Sequence, residues 1–164
     1  MKLGELLAKA GLAGGGEESV TGFAIDHRKV APGTVFGAFA GATVNGEDFI
    51  RPAIAAGAIA VVARPEARVE GALHIIDVTP RRAFARLAAG FFSPVPATIV
   101  AVTGTNGKTS TVQLLAQALT LGGGVAGSIG TLGAGLHGRV VPGERTTPDV
   151  IAVHRLLAAM RGEG

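Results

Sequence analysis

Residues 98–111, Thr-Ile-Val-Ala-Val-Thr-Gly-Thr-Asn-Gly-Lys-Thr-Ser-Thr, constrain the chain more than any other stretch. A short β-branched run leads into a turn bracketed by Gly104 and Gly107, and Lys108 with Thr109 opens an amphipathic helix. This is the layout of a nucleotide triphosphate cradle. The turn aims backbone N–H groups inward, and the helix dipole adds about half a positive charge at its N-terminus. The lysine can bridge the outer phosphates and the neighbouring hydroxyl can ligate Mg²⁺. The spacing is not that of the common P-loop, whose first glycine would fall on Val102; Gly104-x-x-Gly107-Lys108-Thr109 is shorter by two residues. The plain alternative is a glycine-rich strand-to-helix turn carrying a solvated lysine. Strand, two glycines, Lys-Thr and helix in that order favour the cradle, and with it ATP and Mg²⁺ as ligands.

Composition sets the limits around that motif. Of 164 residues, 48% are hydrophobic and 16% charged, enough for a packed core. With 26 glycines, much alanine and no Trp or Tyr, the core should be thin and built of small residues. Zero cysteines exclude disulfides, thiolate catalysis and Cys-based metal sites. Mean hydropathy is +0.43, yet the longest uncharged apolar stretch, 53–63, is far short of the roughly 18 residues a membrane span needs. Glu5 and Lys9 interrupt the N-terminal apolar pattern, so it reads as a surface helix, not a signal peptide. The expectation is a soluble, cytoplasmic chain that does not bind membranes. Its net charge of +3 is scattered, with Arg81-Arg82 the sole Arg-Arg pair and no aromatic interleaving, which argues against nucleic acid.

Along the chain, Leu3, Leu6, Leu7 and Ala10 follow helical spacing. Strands are expected at 20–25 and 35–40 around a Pro32-Gly33 turn, a helix over 46–57, and buried strands at 58–63 and 73–78. Pro80 suits the first position of a helix running to about Phe92. Ser93-Pro-Val-Pro96 is a stiff connector, which divides the chain into domains at 1–92 and 97–164 with a linker at 93–96. After the nucleotide strand at 98–102, Val112, Leu115, Ala116 and Leu119 mark one helix face; strands follow at 125–132 and 136–141, then a last helix to about Met160. Thr146-Thr147-Pro148 suits the start of that last helix. The second domain has too few residues for the usual parallel sheet of a nucleotide-binding domain, and no obvious strand-end acid to hold Mg²⁺ opposite Thr109. His74, His137 and His154 are too scattered to form a metal set.

The loop Gly104-Thr-Asn-Gly-Lys-Thr-Ser110 resembles the ATP loop of the Mur ligase superfamily, which shares this shortened spacing. Upstream, Asp26-His27-Arg28-Lys29-Val30-x-x-Gly33-Thr34-Val35-Phe36 is similar to that family's N-terminal signature. Gly41-Ala-Thr-Val-Asn45-Gly46-x-x-Phe49 is similar to its next block, while Gly130-Thr131 and Thr146-Thr147-Pro148 resemble the MurE branch in particular. The resemblance covers nearly all of the chain, in the family's order. It implies a small N-terminal α/β UDP-binding domain followed by the first part of a P-loop-type parallel-sheet ATP-binding domain.

The resemblance also implies an activity: ATP-dependent addition of a third amino acid, meso-diaminopimelate or L-lysine, to UDP-N-acetylmuramoyl-L-alanyl-D-glutamate through an acyl phosphate, by a monomer. Carried over by position, Gly104, Thr105, Asn106, Gly107, Lys108, Thr109 and Ser110 would hold ATP, with Lys108 and Thr109 catalytic and Thr109 on the metal. Ile25 and His27 would contact the uridine, Ala42, Thr43 and Val44 would close on the nucleotide, and Arg145, Thr146 and Thr147 would hold the substrate in the central domain. His27 stands where the family carries serine, Ala42 where many members carry histidine, and Arg145 where some carry asparagine. The family's acidic Mg²⁺ ligand, carbamylated lysine, amino-acid specificity motif and C-terminal domain have no counterpart, so the chain is expected to be an inactive portion of a ligase. The alternatives are a non-catalytic UDP-sugar or ATP-binding module and another superfamily ligase of the MurF type.

Overall fold

The computed structural model describes residues 1–41, 44–136, 139–141 and 148–163, with the backbone alone at 139–141. Two compact units result, Met1–Phe91 and Phe92–Gly164. Among the described residues no helix is long and apolar enough to cross a membrane.

The first unit is a four-stranded parallel sheet in the order β1-β2-β3-β4, with β1 at Gly22–Ala24, β2 at Thr34–Gly37, β3 at Ala58–Ala63 and β4 at Leu73–Ile76. Strands in a parallel sheet are covered on both faces, so they read as unbroken apolar runs. The Ala-Ile-Ala-Val-Val-Ala of β3 is such a run, paired through Val35↔Ala60 and Phe36↔Val61 on one side and Val62↔Ile75 on the other. Alternation then sorts the side chains. Ala24, Phe36, Ala38, Val61 and Ala63 pack with Ile50 and Ala53 of α2 (Ile50–Ala55). On the opposite face, Gly37 lies against Phe84 of α3 (Pro80–Phe91), and Gly90 of α3 touches Leu6 of α1 (Leu3–Lys9).

Pro80 opens α3 as its fixed φ suggests, behind an Asp77 carboxylate that accepts from the Thr79 N–H at 2.6 Å and the Thr79 hydroxyl at 2.8 Å. These bonds, the backbone one first, hold the Asp77 carboxyl below the usual range. The helix expected over 46–57 is split: a 3-10 turn covers Gly46–Phe49, and the α-helix begins at Ile50. Asn45 causes the split, because its side-chain oxygen accepts from the Glu47 N–H at 3.2 Å and tightens the entry.

The second unit contains α4 (Lys108–Leu121), a three-stranded sheet of β5 (Gly127–Gly130), β6 (Gly133–Leu136) and β7 (Arg139–Val141), and α5 (Val150–Glu163). Two expectations need correction here. The β5-β6-β7 sheet is an antiparallel meander, and the run expected as one strand at 136–141 divides between the end of β6 at Leu136 and β7 at Arg139–Val141, with 137 and 138 outside the described residues. The run 98–102 forms no ladder among the described residues, and Ile99 and Val100 are more than half exposed. A parallel strand exists only by pairing with neighbours, and the meander's ladders run only between β5 and β6 and between β6 and β7, so none includes this segment. Asp149 caps α5, its carboxylate accepting from the Ala152 N–H at 2.8 Å, while Thr146 and Thr147, expected near this helix start, lie outside the described residues.

Candidate functional site

In the second unit the cradle is formed by its glycines. Gly107, at φ 77°, is the N-cap of α4, and Gly104 has φ 146°, both in territory an L side chain rarely adopts. A Cβ on Gly107 would meet nothing within 4 Å, so the space above the helix N-terminus is open to a ligand. The first-turn N–H groups of α4 have no intrahelical carbonyl to bond. The Lys108 ammonium folds back to donate to the carbonyls of Gly104 and, at 3.1 Å, of Thr105. Those are weak claims on a charge, and an anion over the loop would outcompete them. Thr105, Asn106 and Ser110 are exposed and Thr109 half-buried. The geometry therefore fits a polyphosphate.

A cleft of about 820 Å³ in the same unit is lined by Lys108 and Thr109 but mostly by apolar residues, among them Val100, Val102, Val112, Leu115 and Leu119. An apolar cleft is a poor host for phosphate. It opens between the 98–102 segment, α4, β5 and α5. No cluster of three or more His, Cys, Asp or Glu that could hold a metal occurs among the described residues.

In the first unit, the carboxyl ends of the parallel strands gather the expected uridine-side residues, the usual place for a ligand on such a sheet. Ile25 follows β1 and is partly exposed. The His27 imidazole stacks flat on Phe49, with centroids 4.4 Å apart and planes 4° off parallel. Arg28 forks onto Asp26, Nε to Oδ1 at 2.9 Å and Nη2 to Oδ2 at 2.7 Å, and its backbone N–H adds a bond at 3.0 Å. Val44 is exposed, and its carbonyl accepts from the Gly41 N–H at 2.9 Å. Ala42, Thr43, Arg145, Thr146 and Thr147 lie outside the described residues.

The Arg28 side-chain bonds, then its backbone N–H, hold the pKa of the Asp26 carboxyl at about 2. A depressed folded-state pKa means the carboxylate's contribution is complete above its unfolded value near 4 and fades as pH falls toward 2. The pair is exposed, so the contribution is small, at most about 1 kcal/mol. NMR titration of the carboxyl carbons should show Asp26 still ionised at pH 3; a midpoint close to 4 would mean that the fork is not kept in solution.

Three contacts at this end escaped sequence reading. Phe49 is read from sequence as a helix-face residue, yet it is the floor under His27. Glu47 and Arg64 form a two-pronged pair at 2.8 and 2.9 Å that holds the Glu47 carboxyl below its usual range. Arg81, noticeable only as part of an Arg-Arg pair, reaches back to Ala40. Each contact spans more than ten residues of chain, which local spacing does not encode.

Residues 19–92 match the model described as Mur ligase family, catalytic domain, and residues 102–164 match the Mur ligase middle domain. The chain belongs to the Mur ligase family. Among Mur ligases, a Zymomonas mobilis protein named UDP-N-acetylmuramoyl-L-alanyl-D-glutamate--2,6-diaminopimelate ligase is 54% identical over 151 residues, covering 92% of this chain and 31% of that protein. A Xanthomonas campestris protein of the same name is 44% identical over 169 residues, covering 100% and 34%. A solved structure of a ligase so named superposes with a TM-score of 0.77 at 28% identity, over 93% of this chain and 31% of its own. MurF ligase from Thermotoga maritima, in complex with ADP, matches at TM-score 0.50 and 30% identity over 63% of this chain and 24% of its own. The chain thus spans about a third of the length of these curated Mur ligases.

Proposed function

We propose that this chain carries the UDP-substrate and ATP-loading portion of a MurE-type ligase, which joins diaminopimelate or L-lysine to UDP-N-acetylmuramoyl-L-alanyl-D-glutamate. The domains in this reading are 1–92 for the UDP substrate and 97–164 for ATP, joined at 93–96, in a monomeric cytoplasmic protein. The single observation that carries the ATP half is the open N-terminus of α4, where Gly104 and Gly107 take positive φ and the Lys108 ammonium rests on the loop carbonyls of Gly104 and Thr105. The ADP held by the Thermotoga maritima MurF ligase supports the same reading. The names of the diaminopimelate ligases favour that amino acid over lysine.

In this reading ATP supplies the phosphoryl group that activates the substrate carboxylate. The chain's own part is positioning and charge. Backbone N–H groups of residues 104–110 would orient the phosphates, Lys108 would turn from the loop carbonyls to the outer phosphates, and the Thr109 hydroxyl would ligate Mg²⁺, which would neutralise phosphate charge. Ile25 and His27, the latter braced by Phe49, contact the uridine, with Ala42, Thr43 and Val44 closing over it and Arg145, Thr146 and Thr147 holding the substrate further along. Calorimetric titration of the 164-residue chain with UDP-N-acetylmuramoyl-dipeptide, and separately with Mg·ATP, tests both halves. Heat of binding is expected for each; a folded sample that binds ATP and not the UDP substrate would sink the assignment of the first unit.

A further inference from the structure

Arg81, like Arg86, which reaches the Gly11 carbonyl at 3.5 Å, bonds the backbone across the first unit. Arg28, Arg64 and Arg68 each pair with a carboxylate, whereas Arg81 is in no ion pair among the described residues. Its guanidinium goes instead to the backbone: Nη2 donates to the Ala40 carbonyl at 3.0 Å, forty-one residues away in sequence. The same group sits over the Phe39 ring, 4.9 Å from its centroid, within cation–π range. Phe39 in turn meets the buried Phe84 edge-on at 5.4 Å. One exposed cation from the first turn of α3 is thus laid across the segment that leaves β2.

That segment is tightly fitted. Ala40 bridges Asn45, the Gly41 N–H donates to Val44, and the Gly46 N–H donates to the Phe39 carbonyl at 2.8 Å. A Cβ on Gly46 would come within 2.7 Å of the Phe39 backbone, and one on Gly37 within 2.5 Å of the Phe39 ring. A residue so crowded has one place to sit, and Arg81 bonds the carbonyl next to it. Bonding a carbonyl of the chain leaving β2 fixes that segment more directly than any surface ion pair would. Glu47 and Arg64 brace the far side of the same turn.

We propose that Arg81 is a positioning residue for nucleotide binding: it holds residues 39–41 and 44–46, at the carboxyl end of β2, in the shape that takes a uridine diphosphate. The proposal rests on the reading of the first unit as the UDP-substrate domain. Its guanidinium acts through the turn and does not contact phosphate. Preorganising a binding turn removes the ordering cost at the moment of binding.

The test is NMR titration of the 164-residue chain and its R81A and R81K forms with UDP and with uridine, with amide exchange read at Gly41 and Gly46. R81A should weaken UDP and uridine alike by about tenfold, the size of one charge-assisted hydrogen bond, with faster exchange at both glycines and an unchanged β3 core. R81K, which keeps a donor and a cation over the ring, should recover most of the loss. Unchanged affinity in R81A would overturn the proposal, as would a loss for UDP that spares uridine, which would mean a direct phosphate contact. A wild-type chain that binds neither ligand would instead overturn the UDP reading itself, and Arg81's role with it.

Discussion

Replacing Lys108 with alanine should weaken Mg·ATP binding by about 10- to 100-fold while leaving the melting temperature within about a degree. The first half follows from charge: hydrogen bonds to ionised groups are worth about 1.5–3 kcal/mol, and each 1.4 kcal/mol is about tenfold in Kd. The second half follows from where Lys108 now rests. It is exposed, and the partners it gives up are two carbonyls of its own loop, which water can satisfy. A Gly107→Val chain is a useful contrast, because a β-branched residue at φ 77° distorts the cradle itself. Calorimetry on both forms decides the point. If Lys108→Ala binds Mg·ATP as tightly as the parent chain, the loop is the solvated turn of the plain alternative and not a triphosphate cradle.

The first unit was largely legible in the sequence because its physics is local. Continuous apolar runs at 58–63 and 73–78 are what strands buried on both faces look like, and Pro80 marks the start of α3 on φ alone. The second unit resisted for two reasons. The 98–102 run has the composition of a central strand, but becoming one depends on neighbours that no local pattern supplies. The Gly133-Ala-Gly-Leu136 stretch has too few side chains to show a period of two, so β6 left no trace in hydropathy. In the loop before α4, the positive φ of Gly104 and Gly107 was legible because backbone conformation is written residue by residue. The pairing of His27 with Phe49, and of Arg81 with Ala40, arises only when distant strand ends are brought side by side.

The apolar surface of the second unit follows from the same dependence on neighbours. Leu114 and Leu121 of α4 are 65% and 90% exposed, and α4 buries no residue fully. A helix with apolar residues spread around it needs partners on more than one side. The first unit has no such deficit: Leu3, Leu6, Leu7, Phe36, Phe84 and Leu87 are all essentially buried. Stability in this chain therefore resides mainly in Met1–Phe91.

That asymmetry makes Phe84 the most damaging single truncation. It is fully buried on α3 and meets Phe23 at 5.3 Å and Phe39 at 5.4 Å, both edge-on. Phe→Ala in a core costs about 3–5 kcal/mol, and a unit of this size holds about 5–14 kcal/mol in all, at about 0.05–0.15 kcal/mol per residue. Phe84→Ala should thus remove about a fifth or more of the first unit's stability. At about 4–8 °C per kcal/mol, its melting transition should fall by more than 10 °C. Phe84→Leu keeps most of the volume and loses only the ring-edge contacts, about 0.5–1.5 kcal/mol each, so it should melt between the two. The damage should also reach the nucleotide end, because Phe39 loses the ring it leans on and the Arg81 contact loses its footing. Urea unfolding read by amide exchange in β3 separates the two consequences: the exchange gives the stability of the sheet, and UDP affinity below the transition gives the state of the turn. A Phe84→Ala chain as stable as the parent would show that α3 is not clamped to the sheet through this ring. A destabilised chain with full UDP affinity would show that Phe39 holds its place without it.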